Sequence, residues 1–97
     1  MRRATTKKMT ASGQVAEGPH NLLGYLLGTD GVNDPKFSVH DGEDETGEEK
    51  IPSITYDASQ LGANGAMFTF YIPCMDGIYF YRESGANDET IFYYERA

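Results

Sequence analysis

Few side chains in this sequence could do chemistry, and none stands at a spacing that a reaction requires. There are two histidines, His20 and His40, and one cysteine, Cys74, with no second His or Cys at metal-ligand spacing. The chain contains no Gly-x-Ser-x-Gly, no phosphate-binding glycine loop and no His-Glu-x-x-His. A lone thiol closes no internal disulfide, and no histidine can be assigned beside Cys74 to activate it, so it reads as a small, partly buried residue at a strand end. No catalytic residue is assigned, no cofactor is expected, and the chain is not expected to be an enzyme.

The run Asp41-Gly42-Glu43-Asp44-Glu45-Thr46-Gly47-Glu48-Glu49 holds six carboxylates in nine residues. Carboxylate oxygens are what calcium requires, and Asp41, Glu43, Asp44 and Glu45 would be its ligands. The spacing does not follow an EF-hand loop, so the run is read as a solvated loop and no metal site is expected. It could also receive a basic arm from an adjacent copy, because complementary charge fixes register. A platform of Tyr79, Tyr81 and Tyr94 could stack on sugars, but such sites usually include Trp, and this chain has none.

The net charge is −7, unevenly spread: four of eight basic residues, Arg2, Arg3, Lys7 and Lys8, open the chain, and every acidic residue lies at Glu17 or later. An acidic body repels phosphate, so no nucleic-acid partner is expected, and the arm is read as docking on an acidic neighbour. The apolar stretches fall well short of the roughly 20 residues that span a bilayer, so no membrane partner is expected. No apolar segment follows the basic N-terminus, which argues against a secretory signal and for assembly in a reducing cytoplasm.

The elements that would position these residues are strands. Period-two alternation recurs between Gly, Pro, Asn and Asp breaks, and 97 residues support one core. A weak strand is expected over residues 5–10, continuing through 13–15. A stronger one over 20–28 would place Leu23, Tyr25 and Leu27 on one face and Leu22, Gly24 and Leu26 on the other. Residues 36–40 read as an amphipathic strand, with Phe37 and Val39 alternating with polar residues. Residues 51–56 form an edge strand or a strand beginning at Pro52, and 57–65 a loop or single turn. Residues 67–72 and 78–82 are expected to pair as a hairpin through Asp76-Gly77, and 90–95 close the chain. About seven to eight strands at this spacing predict a single small antiparallel all-β domain, a β-sandwich or jelly roll, over residues 13–97, with residues 1–12 as the basic arm. Ile78, Phe80, Ile91 and Tyr93 would face the core. Tyr79, Tyr81, Phe92 and Tyr94 would point outward and, with the arm, make subunit contacts.

Five segments, in order, resemble small tailed-bacteriophage virion proteins: Leu22-Leu23-Gly24-Tyr25-Leu26-Leu27, Phe37-Ser38-Val39-His40-Asp41-Gly42, Phe70-Tyr71-Ile72-Pro73, Gly77-Ile78-Tyr79-Phe80 and Thr90-Ile91-Phe92-Tyr93-Tyr94. The resemblance covers roughly residues 10–95 and departs at the long acidic loop and at His40, where a tyrosine is expected. It implies a β-sandwich structural protein of the virion, most simply a capsid decoration or cement protein and otherwise a neck or tail protein. Such a protein is assembled in the host cytoplasm as a homo-oligomer, dimer or trimer, against phage capsid or other virion proteins. The alternative is a free carbohydrate- or calcium-binding β-sandwich module.

Overall fold

The computed structural model describes residues 4–61, 65–84 and 88–97. Among the described residues eight strands follow one another: β1 (Thr5–Met9), β2 (Gly13–Glu17), β3 (His20–Gly28), β4 (Lys36–Asp41), β5 (Glu48–Thr55), β6 (Ala66–Cys74), β7 (Gly77–Ser84) and β8 (Glu89–Arg96). One helical turn, α1 (Ala58–Leu61), separates β5 from β6. The strands form two four-stranded sheets, ordered β1-β8-β3-β6 (sheet A) and β2-β7-β4-β5 (sheet B).

Every pairing is antiparallel, and β1–β8, β2–β7, β3–β6 and β4–β5 fall alternately in the two sheets. The chain is thus one long ribbon, doubled at the acidic loop between β4 and β5, whose successive pairs alternate between sheets as it rolls up. The β8–β3 and β7–β4 ladders form where the coiled ribbon meets itself. This is the strand order of a jelly roll, so the all-β sandwich expected from the sequence is the fold.

Only β4 and β5 form a hairpin within one sheet. The hairpin expected across Asp76-Gly77 is instead a corner, because β6 belongs to sheet A and β7 to sheet B. The first strand does not run on to residue 15 either: the chain turns at 10–12 and passes from sheet A to sheet B. Residues 5–9 are consequently a paired strand of the domain and not a free arm, and no structural boundary falls at residue 12. Pro52 does lie on an edge strand, β5, where its missing N–H costs no ladder bond.

Between the sheets lie Leu22, Tyr25, Leu27, Phe37, Val39, Ile78, Phe80 and Phe92, each at most 3% exposed. Simple alternation would separate Leu22 from Tyr25, but they share this side. Leu22 and Gly24 pair with the consecutive residues Tyr94 and Tyr93, so Leu23 is an extra residue that reverses the alternation. Next to it, a Cβ built on Gly24 would sit 2.3 Å from the Phe68 carbonyl oxygen, so only glycine lets β3 and β6 approach this closely.

The faces of β8 are the reverse of those expected: Phe92 (0% exposed) and Tyr94 (9%) point into the core, while Ile91 and Tyr93 point outward half-buried. Residues 91–94 are apolar at both parities, so alternation alone could not orient them. Register decides, placing Phe92 opposite Tyr25 and Tyr94 opposite Leu22.

Candidate functional site

The two long sides of the sandwich are closed differently. On the β1/β2 side Met9 is buried, Lys7 Nζ donates to the Gln14 carbonyl at 3.1 Å, and the Arg82 amide donates to Ser12 Oγ at 2.8 Å. On the β5/β6 side a cleft of about 500 Å³ remains, lined by Ile51, Ile54 and Tyr56 from one sheet edge and by Met67, Phe68, Thr69 and Phe70 from the other. Tyr25 also lines it, and the Tyr25 and Tyr56 hydroxyls are hydrogen-bonded to each other. Burial, and then that bond, hold the Tyr25 hydroxyl well above its ordinary pKa. The Tyr25 hydroxyl therefore stays neutral, and the cleft offers an occupant mainly apolar and aromatic surface.

The outer face of sheet A continues this apolar character. Register places Met67, Leu26, Ile91 and Lys8 in one row across the sheet and Thr69, Gly24, Tyr93 and Thr6 in the next. Met67 is 50% and Tyr71 62% exposed, and Leu23, Leu26, Ile91 and Tyr93 are half-buried. The sequence reading missed this surface because it set the faces of β3 and β8 by strict alternation. The unbroken apolar parity of both strands was the available signal.

On the outer face of sheet B the acidic hairpin folds over His40. Ser38 (2% exposed) and His40 (7%), expected on an exposed polar face, are buried. His40 Nδ1 lies 3.0 Å from the Gly47 carbonyl oxygen, which can only accept, so this nitrogen carries a proton. Nε2 is hydrogen-bonded to Ser38 Oγ at 2.8 Å. A hydroxyl, an imidazole and an orienting carbonyl in line are the parts of an activated nucleophile. Their burial leaves no room for a substrate beside Ser38 Oγ, and what the arrangement does is clamp the acidic hairpin onto the sheet. Gly47 is needed there, because a Cβ would lie 2.1 Å from the Asp41 carbonyl oxygen.

The acidic residues raised as calcium ligands are spent on turns or left in solvent. Asp41 accepts the Met75 and Asp76 amides at 3.0 and 2.8 Å, and Asp44 accepts the Thr46 amide at 2.9 Å. Glu43 and Glu45 are exposed. Among the described residues no group of three or more His, Cys, Asp or Glu is placed to hold a metal ion. Tyr79 and Tyr81 lie half-buried on the outer face of sheet B, as expected, with Tyr79 opposite His40 and Gln14. Phe92 and Tyr94, proposed as their partners in an interface, are in the core. Lys7 and Lys8 project from β1, where Lys8 meets Glu89 at 3.6 Å, while Arg2 and Arg3 lie outside the described residues.

His20 is half-buried, with Nδ1 3.1 Å from the Gly18 carbonyl oxygen and its ring edge-on to Tyr94. His20 and His40 sit on different sheets and share no site. Cys74 is fully buried, and burial, then the Asp41 charge, push its thiol up to about 11. Iodoacetamide at pH 8 is accordingly expected to alkylate the native protein far more slowly than the urea-unfolded chain, as read by intact mass. Equal rates would show an open thiol.

At the opposite end of the roll from the acidic hairpin, a polar recess of about 380 Å³ is lined by Thr10, Arg82, Asp88 and Glu89. Asp88 is 4% exposed, and neither of its carboxylate oxygens has a hydrogen-bond partner among the described residues. Among the described residues no helix is long and apolar enough to cross a membrane.

Compared with protein-family models, with curated proteins and with solved structures, the chain finds no match. Its class is therefore defined by the fold alone: a small, eight-stranded antiparallel jelly roll. Jelly rolls serve capsids, lectins and metal-dependent enzymes alike, so function must be argued from surfaces.

Proposed function

We propose that this chain is a structural protein of a bacteriophage virion, a capsid decoration or cement subunit that stabilises the particle through contacts with neighbouring subunits. The observation that carries the reading is the outer face of sheet A, where Leu26, Met67, Tyr71, Ile91 and Tyr93 form an apolar surface with only Lys8 as a charged member of its central rows. Small monomers rarely leave so continuous an apolar surface to water, and Tyr and Met are enriched where interfaces bury their centres. The jelly-roll order and the ordered segments resembling virion proteins support the same reading. The acidic hairpin tip and the basic residues of β1 supply charge that can orient a subunit as it docks.

Gradient-purified particles made from the genome that encodes this chain are expected to contain it in many copies. The double variant Ile91→Lys/Tyr93→Lys, folded by circular dichroism, is expected to be lost from them. Wild-type chain found only in the soluble lysate, or variant retained at wild-type occupancy, would overturn the reading.

A further inference from the structure

Each sheet has two edge strands, and three of these four edges are guarded against pairing. β1 carries Lys7 and Lys8, β2 is five residues long and ends in Glu17, and β5 carries Glu48, Glu49 and Lys50 with Pro52 in its middle. Charge, shortness and proline are the devices that keep natural sheet edges from adding strands. β6 is the exception. Its nine residues, Ala-Met-Phe-Thr-Phe-Tyr-Ile-Pro-Cys, include no charged side chain, and proline comes only next to last. One side of β6 pairs with β3, and the other has no partner strand among the described residues.

Resting on the assembly reading above, we infer that a second copy of this chain fills that edge. β6 pairs antiparallel with β6 of the copy about a two-fold axis, joining the two A sheets into one sheet of eight strands. Three observations point to a copy of this chain and not to some other occupant. An antiparallel strand pair is self-complementary, as a two-fold contact must be. With the axis at Phe70, Phe68 faces Ile72 of the copy and Thr69 faces Tyr71 of the copy, so apolar groups meet apolar or neutral ones. Molecules of net charge −7 repel each other broadly, and β6 is the one edge strand where they can meet without bringing charges together. The cleft lies directly beneath this edge. The inward side chains of an added strand would cover half-buried Phe68 and Phe70 and approach Ile54, which is 46% exposed.

The test uses the full chain. Sedimentation equilibrium from micromolar to millimolar concentration is expected to show a rise to twice the monomer mass. Hydrogen exchange at the two ends of that range is expected to show alternate amides of residues 66–72 gaining protection, while β1 and β5 do not change. The variant Thr69→Lys/Tyr71→Lys places lysine opposite lysine across the axis and should raise the dissociation constant at least about tenfold without loss of fold. Mixing it with Thr69→Glu/Tyr71→Glu should restore association, which neither variant shows alone. A monomer at every concentration, a dimer with unprotected β6, or a mixture no more associated than its components would each overturn the proposal. A folded small ligand complex of the cleft, or capture of another protein's strand at β6 with no self-association, would do so as well. A solution monomer still found in particles removes the dimer and leaves the virion reading standing, whereas a β6 dimer absent from particles does the reverse.

Discussion

Replacing Tyr25 with alanine is expected to lower the unfolding free energy by about 3–5 kcal/mol, the range for removing a large aromatic from a packed core, as read from urea unfolding. Tyr25 sits at the centre of β3, is 3% exposed, and its ring lies 5.0 to 5.8 Å from those of Phe37, Phe68, Phe70 and Phe92. Phe37 belongs to sheet B and the other three to sheet A, so one side chain ties the two layers together. Neighbouring backbone is held by hydrogen bonds and cannot close in on the space. A domain of this size has only about 5–15 kcal/mol to lose, so the variant should be largely unfolded at moderate urea. Tyr25→Phe keeps the ring and removes only the hydroxyl bonded to Tyr56, which should cost about 1 kcal/mol. Equal losses for the two variants would show that the hydroxyl pair, and not the ring, joins the sheets.

The second large effect runs the other way. Asp88→Asn is expected to stabilise the protein near neutral pH by about 1 kcal/mol, because it removes a buried carboxylate that has no hydrogen-bond partner among the described residues. Burial raises the Asp88 pKa first; Arg82 opposes the shift, and Asp30 and Asp34 add to it. The sign follows from proton binding. The folded state holds this proton to higher pH than the unfolded state, so stability falls as pH rises from the unfolded value, about 4, through the folded one. Above the folded pKa the penalty is complete. Asp44 and Asp57 behave oppositely: hydrogen bonds from Thr46 and Ser59 lower their pKa values, and the stability they contribute is lost as pH falls through those folded values. The difference between wild type and Asp88→Asn in melting temperature should therefore be small near pH 4 and widen toward pH 7. A constant difference would mean that the Asp88 pKa is the same in the folded and unfolded states.

Much of the local structure was legible in the residues. Lys36-Phe37-Ser38-Val39-His40, the Pro52 edge and the single turn after residue 57 occupy the expected kinds of element, whereas the acidic run is a loop only over residues 42–47, with Asp41 ending β4 and Glu48 and Glu49 opening β5. The candidate surface was not legible, for two reasons that lie in particular residues. Leu23 is an extra residue that reverses alternation within β3, and an uninterrupted apolar strand gives no sign of where such a bulge falls. Thr90-Ile91-Phe92-Tyr93-Tyr94 is apolar at both parities from Ile91 on, so its orientation depended on β3 and exchanged Phe92 and Tyr94 for Ile91 and Tyr93 on the outer face.

By itself the sequence determined that the chain would be a single all-β domain with its strands where the alternation lies, because period-two patterning and turn residues act within a few positions of one another. Only the tertiary structure decided which strands share a sheet, that Asp76-Gly77 is a corner, that the acidic hairpin buries His40, and that β6 is left as an uncharged edge beside an apolar cleft. Those outcomes come from coiling a ribbon whose paired strands lie far apart in the chain, and the free energy that selects their register is burial between two sheets, which no local window of residues contains.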